Sequence, residues 1–232
     1  MTDLLEFLAP TPLINSDSPA VIDYANSLLR DSASDDVSRA IALYEGVRDD
    51  IKYTPYVAYH REDAYRASDI LQAKRGHCVG KASLLCAAAR TIGIPSRVGF
   101  ATVKNHLSTV QLTKAMGSGE FAYHGYSELF LNERWVIATP AFDTATCGRH
   151  KVSPLIFDGI TDSKYQQFNQ DQQAALEYLE YHGSFSEIPI KTIITEFRKK
   201  YGDELVDNWI DAFDQLKSFA KRRFDKEEAL KN

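Results

Sequence analysis

Cys78 and His124 are the two residues of this chain whose types could together carry nucleophilic chemistry. Cys78 lies where a run of helical apolar spacing begins, and the unpaired N–H groups and the dipole at a helix start stabilise a thiolate. The thiolate is the reactive form of cysteine. An imidazole held on a strand can take the thiol proton and later return it to a leaving amine. The pair therefore indicates attack on a carbonyl, although a buried structural cysteine and a half-exposed histidine would explain the same two residues.

Three basic residues, Lys74, Arg75 and Lys81, lie close to Cys78 along the chain. We expect their charges to add positive potential at the thiol, which favours the thiolate further. The other two cysteines, Cys86 and Cys147, are expected in mid-helix and in a loop. The sequence therefore predicts that Cys78 is alkylated faster than either of them near neutral pH.

Neither a disulfide framework nor a bound metal is expected. Three cysteines are too few for such a framework, and Cys78 and Cys86, on one helix, would lie roughly 12 Å apart. Cys147 and His150 have the spacing of half a zinc site, but no second ligand pair follows at a suitable spacing. We expect the chain to need no metal and no cofactor.

Helices are expected to position the cysteine. Ser18-Pro19 is typical of a helix start, and 36–50 has apolar residues at helical spacing. A third helix begins at Cys78 and is ended by Gly93, with Pro95 preventing its continuation.

Strands are expected to position the histidine. Alternation predicts strands at 98–102, at 121–131 with His124 on one face, and at 135–139 after a turn at Asn132-Glu133. The polar stretch 104–119 is expected to be a loop or lid.

Beyond about Ser163 we expect helices only. The clearest is marked by an apolar stripe of six residues, Leu205, Trp209, Ala212, Phe213, Leu216 and Phe219. The predicted fold class is α+β, with a central antiparallel sheet and helices at both ends. We expect two parts, a core at 1–160 and a helical C-terminal extension at 161–232 packed on that core.

The composition excludes some classes of protein. The chain has 232 residues, 44% of them hydrophobic, and a net charge of −5, which argues against a nucleic-acid-binding protein with a concentrated basic face. No apolar run approaches the roughly 20 residues that span a bilayer, and the first residues are acidic rather than a basic leader. We expect a soluble, cytoplasmic protein that binds neither nucleic acid nor membrane.

The segments around both residues carry a more specific pattern. Residues 76–85 read GHCVGKASLL and 89–100 read ARTIGIPSRVGF, followed by HGYSE at 124–128 and WVIATP at 135–140. This order resembles the transglutaminase-like superfamily, which reads Gly-x-Cys, a helix, Gly-Ile-Pro-Ala-Arg, a strand, His-Ala-Trp-x-Glu and then Trp-x-x-x-Asp-Pro. The resemblance covers about 40–142. It implies a papain-like core in which a cysteine-bearing helix packs on an antiparallel sheet that carries the histidine and an orienting third residue.

The third residue departs from that pattern. Thr139 stands where the family has aspartate. A hydroxyl can accept a hydrogen bond from the imidazole but cannot stabilise imidazolium as a carboxylate does, while papain-like enzymes work with a neutral asparagine there. Asp143 could substitute for the missing carboxylate, but we expect it to be a solvated loop residue. The implied catalytic set is Cys78, His124 and Thr139.

The resemblance implies a thiol enzyme that forms a thioester from an amide or ester. Hydrolysis, as in a cysteine peptidase or amidase, is favoured over transfer to an amine, and the expected substrate is a peptide, a protein or a small amide. The alternative is a non-catalytic peptide-binding module on the same fold, which the loss of the carboxylate favours and the retention of Cys78 and His124 opposes.

Overall fold

The computed structural model describes residues 4–29, 34–105, 108–164, 176–215 and 222–227. Its α-helices are α1 (Pro19–Leu28), α2 (Asp36–Asp50), α3 (Ala67–Ala73), α4 (Cys78–Thr91), α5 (Val110–Met116), α6 (Thr144–Arg149), α7 (Ile190–Tyr201) and α8 (Asp203–Asp214). Its strands are β1 (Lys52–Tyr53), β2 (Arg75–Gly76), β3 (Ser96–Asn105), β4 (Glu120–Leu131), β5 (Arg134–Ala138) and β6 (Leu176–Phe185). Mixed helices and antiparallel strands confirm the predicted α+β class.

Helix α4 forms the centre of the molecule. Every residue from Val79 to Arg90 is buried, because α1, α2 and α3 pack on it from one side and strands β3 and β4 from the other. A helix with apolar residues on every side is stable only when it is enclosed in this way, and its buried Lys81 and Arg90 donate to backbone carbonyl oxygens. The helix ends at Thr91, and Gly93 beyond it has a φ of +84°, a conformation that glycine adopts without strain.

Four antiparallel strands form the main sheet, in the order β5-β4-β3-β6. Strands β4 and β5 are joined by Asn132 and Glu133, which have φ values of 49° and 62°. Two consecutive residues with positive φ make the tight hairpin turn whose twist matches that of its strands. The predicted hairpin is therefore confirmed, and its register pairs Ser127 with Ala138.

Two expectations for the connecting segments are wrong. The stretch predicted as a loop or lid contains the end of β3 and helix α5, where the Thr109 side chain accepts a hydrogen bond from the N–H of Leu112. The chain beyond Ser163 is not only helical, because β6 is an edge strand that pairs with β3. The C-terminal third thus contributes a strand to the sheet that carries the expected site.

Helices α7 and α8 follow β6 and pack on the core. The stripe residues Leu205, Trp209, Ala212 and Phe213 lie in α8, where Trp209 is buried; Leu216 and Phe219 lie outside the described residues. A division of the chain at residue 160 stays a prediction. Among the helices within the described ranges, none is long and apolar enough to cross a bilayer.

Candidate active site

Cys78 is the first residue of α4, as the sequence predicts. Taken as whole residues, Cys78 is half-buried, whereas Cys86 and Cys147 are buried. Burial raises the pKa of the Cys78 thiol to about 11, and backbone N–H groups of Gly125 and Val79 oppose that rise. Because loss of water outweighs the helix start, the thiol of the free protein is protonated at neutral pH.

The basic residues near Cys78 do not supply the expected potential. The Lys81 ammonium is buried and donates to the carbonyl oxygens of Arg48 at 2.8 Å and Ile51 at 2.5 Å, at the C-terminal end of α2. Lys74 is exposed and lies over the ring of Tyr24 at 5.4 Å. Lys74 precedes α4, and the Lys81 ammonium is held at the end of α2 by these two hydrogen bonds, so closeness along the chain does not place either charge at the thiol.

His124 lies on β4 and lines the same cavity as Cys78. The two elements approach closely at Gly125, where an added Cβ would lie 2.8 Å from Val79 Cγ2 and 2.9 Å from its Cα. Only glycine allows β4 to press against the first turn of α4 at this point. Burial lowers the pKa of His124 to about 4, so the imidazole is neutral at pH 7.

An irregularity in the sheet lies immediately before His124. The register between β3 and β4 shifts between Ala101 and Val103, and Tyr123 has a φ of 52°. A bulge of this kind re-aims the side chains that follow it. It lies on the strand that carries the histidine.

Thr139 follows β5 and is 1% exposed. Its backbone is fixed by the Tyr44 hydroxyl, which donates to the Thr139 carbonyl oxygen at 3.2 Å. Its side-chain hydroxyl and that of Tyr178 are both buried, and neither has a hydrogen-bond partner of normal geometry among the described residues. Burial raises the pKa of Tyr178, and the Thr139 hydroxyl partly offsets that effect. The two hydroxyls therefore lie near each other without forming a hydrogen bond.

Tyr178 also contacts the histidine. The ring centroids of Tyr178 and His124 lie 6.2 Å apart, edge to face. Tyr178 belongs to β6, the strand that the sequence analysis missed. Only the alternation of Leu176, Tyr178 and Glu180 could have indicated it, and that pattern is weak because β6 lies at the sheet edge.

Asp143 is not the solvated loop residue that we expected. It is buried and caps α6, accepting hydrogen bonds from the backbone N–H of Tyr53 at 2.8 Å and from the N–H and hydroxyl of Thr146, both at 2.9 Å. These bonds occupy both carboxylate oxygens. A residue held in this way has a structural role and does not need to contact the imidazole.

A mainly aromatic cavity surrounds the thiol and the imidazole. The space, including its opening to solvent, is about 610 Å³. Its walls come from the loop after β1, from α4, from β3 and β4, and from α7. The aromatic members of this lining other than the histidines are Tyr53, Tyr59, Tyr65, Phe121, Tyr123, Phe142, Phe197 and Tyr201.

His77 is a second imidazole of this cavity, and the sequence analysis did not identify it. It is 3% exposed and lies edge-on to the rings of Tyr59 at 5.4 Å and Tyr65 at 5.1 Å. Neither ring nitrogen has a hydrogen-bond partner among the described residues. Burial, and to a smaller degree the nearby His124, lowers the pKa of His77 to about 3.

The half zinc site suggested by Cys147 and His150 gains no further ligands within the described ranges. No group of three or more His, Cys, Asp or Glu side chains there could hold a metal ion. The ring of His150 stacks instead on Phe224 at 5.9 Å.

Comparison with known structures gives remote likenesses. A candidate cysteine protease from Cytophaga hutchinsonii is 15% identical with a TM-score of 0.47, over 80% of this chain and 55% of that one. A transglutaminase of red sea bream is 20% identical with a TM-score of 0.39, over 52% of this chain and 26% of that one. The present chain thus spans about half or less of these proteins, and at such scores neither carries an argument about activity. Curated protein sequences give no significant match.

The family comparison is more decisive. A family model described as the transglutaminase-like superfamily matches residues 23–140, a range that runs from α1 to the residue after Thr139 and includes Cys78 and His124. Because that match covers half of the chain, the chain belongs to the transglutaminase-like superfamily.

Proposed function

We propose that this protein is a thiol enzyme in which Cys78 attacks an amide or ester carbonyl and His124 acts as its general base and acid. The observation that carries the proposal is the shared cavity, with the thiol from the first turn of α4 and the imidazole from β4. A nucleophile beside a base is the arrangement that covalent catalysis needs. Membership of the superfamily supports the same chemistry at the level of a thiol enzyme.

The protonation states define how the reaction begins. Both groups are neutral in the free protein, so His124 takes the thiol proton as Sγ attacks, rather than beforehand. The tetrahedral intermediate places negative charge on the carbonyl oxygen, and N–H groups at the start of α4 are suited to stabilise it. The imidazolium then protonates the leaving amine or alcohol, and a thioester remains on Cys78.

We assign the orienting role to Thr139, supported by Tyr178. In this proposal the imidazole donates to the Thr139 hydroxyl during the reaction, because that hydroxyl and the Tyr178 hydroxyl have no hydrogen-bond partner among the described residues of the free protein and the Tyr178 ring lies against His124. Neutral groups can orient the imidazole ring, but they stabilise the imidazolium less than a carboxylate does. We therefore expect a slower enzyme than one with aspartate at this position.

We propose that water, rather than an amine, resolves the thioester, which makes the protein a peptidase or amidase. The test is the product formed from a p-nitroanilide of an apolar acid, with and without an added primary amine. The free acid should dominate in both cases. Cys78→Ala should abolish product and Cys147→Ala, a change outside the cavity lining, should not. Amide product in excess of acid would favour the transferase, and turnover that survives Cys78→Ala would exclude the proposed mechanism.

Thr139 in place of the family's aspartate and the raised pKa of Cys78 favour a second candidate, a peptide-binding module that retains the fold without turnover. In that case peptides would bind to the wild-type protein and to Cys78→Ala with equal affinity, and no acylated cysteine would form.

A further inference from the structure

We infer that the cavity holds the acyl part of the substrate as an uncharged, apolar group, with His77 as its polar contact. That the bound group is an acyl group rests on the proposed function. The selectivity of the space around Cys78 for uncharged, apolar groups does not. It goes beyond the family match, because part of the lining comes from α7, outside residues 23–140.

The lining is uncharged. Among the described residues that form it, none is Asp, Glu, Lys or Arg. Moving an ionised group from water into such a space without a partner costs more than a protein interior tolerates. A substrate with a carboxylate or ammonium group next to the scissile bond is therefore rejected.

Three tyrosines of the lining, Tyr59, Tyr65 and Tyr201, present rings rather than hydroxyls. Tyr59 donates its hydroxyl to the Pro55 carbonyl oxygen at 2.5 Å, and Tyr65 donates to that of Tyr59 at 2.7 Å. Tyr201 donates to the Glu120 carbonyl oxygen at 3.1 Å and accepts from the N–H of Ala122 at 2.8 Å. With these hydroxyls in use, the surfaces left for a ligand are aromatic faces and edges, which favour another apolar or aromatic group.

Helix α7 completes the apolar wall. Ile193, Phe197 and Tyr201 lie on successive turns of that helix and line the cavity. Residues three or four apart share one helical face. Because Phe197 is itself supported by Trp209 of α8, with ring centroids 6.4 Å apart, this wall is held in place by the C-terminal helices.

His77 is the exception in this lining, because both of its nitrogens are buried without a hydrogen-bond partner in the described part of the chain. A neutral imidazole carries one donor and one acceptor. A buried polar group of this kind costs free energy until a ligand satisfies it. Neither nitrogen is accessible to solvent in the free protein, so the ring must shift on binding for the carbonyl oxygen or the N–H of a substrate amide to reach one of them.

Three alkylating reagents test the selectivity without requiring turnover. Cys78 would be treated with iodoacetate, iodoacetamide and N-benzyliodoacetamide, and each rate would be divided by the rate for Cys78 in the urea-unfolded chain. We expect the ratio for N-benzyliodoacetamide to exceed that for iodoacetamide about tenfold, because the benzyl group adds apolar contact with the lining. The ratio for iodoacetate should be at least about tenfold lower than that for iodoacetamide, because its carboxylate is excluded from the uncharged cavity. Equal ratios for iodoacetate and iodoacetamide would overturn the inference.

Two variants separate the parts of the inference. Phe197→Leu should reduce the preference for the benzyl reagent while iodoacetate stays excluded. His77→Phe, which keeps the packing between the tyrosine rings, should slow N-benzyliodoacetamide but not a benzyl thiosulfonate, which carries the ring without an amide. If both reagents respond equally to His77→Phe, His77 only packs. Alkylation needs a thiol but no catalysis. If the protein shows this selectivity but never converts a substrate, the proposed function is refuted and the inference about the cavity is not.

Discussion

Each residue of the Cys78 and His124 pair is kept neutral by its surroundings. The pKa of the thiol is raised to about 11 and that of the imidazole is lowered to about 4, in both cases mainly by burial. In a papain-like ion pair the thiol pKa lies far below its ordinary value. In the free protein Cys78 is therefore a neutral thiol and not a thiolate paired with an imidazolium.

The first prediction follows from the thiol pKa. The alkylation rate of Cys78 by iodoacetamide should rise with pH from 6 to 10 without levelling, since the thiolate fraction grows throughout this range. Peptide mapping after brief treatment measures it, and Cys78 should still react faster than buried Cys86 and Cys147 because Cys78 as a whole residue is half-buried. A rate that stays constant between pH 5 and 8 would mean that a thiolate–imidazolium pair already exists.

The second prediction concerns the two hydroxyls near His124. Tyr178→Phe and Thr139→Val should each lower kcat about 10- to 100-fold, as expected for the loss of a hydrogen bond that stabilises the imidazolium. Folding should change little. Thr139→Asp should raise the pKa of His124 through the added opposite charge.

Tyr181→Phe is the matched control, since Tyr181 stacks on Tyr178 at 5.8 Å but is 51% exposed. It should leave kcat unchanged. The double variant Tyr178→Phe with Thr139→Val should lose less than the product of the two single losses, because the hydroxyls act together. Independent losses would show that Tyr178 does not act through Thr139.

Sequence spacing located Cys78, His124 and Thr139 but not their surroundings. Tyr178 lies 39 positions beyond Thr139, on a strand that pairs with β3, and no local pattern indicates such a contact. The burial of His77 and the inward turn of Lys81 toward α2 likewise depend on packing between elements. These contacts, and not the residue types, determine the pKa values of the site.

The contact between α4 and β4 is the feature that brings the thiol and the imidazole into one cavity. It was implied by the family resemblance, whereas α5 and β6 were missed. Helix α5 has only Leu112 and Met116 buried, and most of β6 is exposed or half-buried. Short or edge elements bury few side chains, so the apolar periodicity that predicts longer elements is weak in them.

The third prediction tests that contact. Gly125→Ala places a methyl group within 2.9 Å of the Val79 backbone, which must push β4 away from α4. We expect a loss of about 1–3 kcal/mol in the free energy of unfolding and a larger proportional loss of activity, because the distance between thiol and imidazole changes. Gly148→Ala is the control, since nothing lies within 4 Å of its added Cβ. Equal stability and activity in both variants would contradict the assigned contact.

The molecule as a whole keeps two fully buried histidines neutral, with pKa values of about 3 for His77 and about 4 for His124. In the unfolded chain both take up a proton near pH 6.5. Their contribution to stability is therefore complete above pH 6.5 and is lost as the pH falls from 6.5 through about 4.

The fourth prediction is the resulting acid sensitivity. Each histidine should add about 1.4 kcal/mol per pH unit to the slope of the unfolding free energy between pH 6.5 and 4.5. Urea unfolding at a series of pH values measures this slope. His124→Asn should reduce it by one such increment. A slope unchanged by His124→Asn would mean that the buried imidazole is already protonated.

The most direct test of the central claim is the covalent state of Cys78 during reaction. The protein would be mixed with the p-nitrophenyl ester of an apolar acid, quenched in acid within the first turnovers, and mapped by peptide mass spectrometry. We expect an acyl mass on the peptide that carries Cys78 and on neither Cys86 nor Cys147, and we expect its amount to be strongly reduced in His124→Gln. An unmodified Cys78 in a protein that hydrolyses the ester, or equal acylation with and without His124, would contradict this expectation.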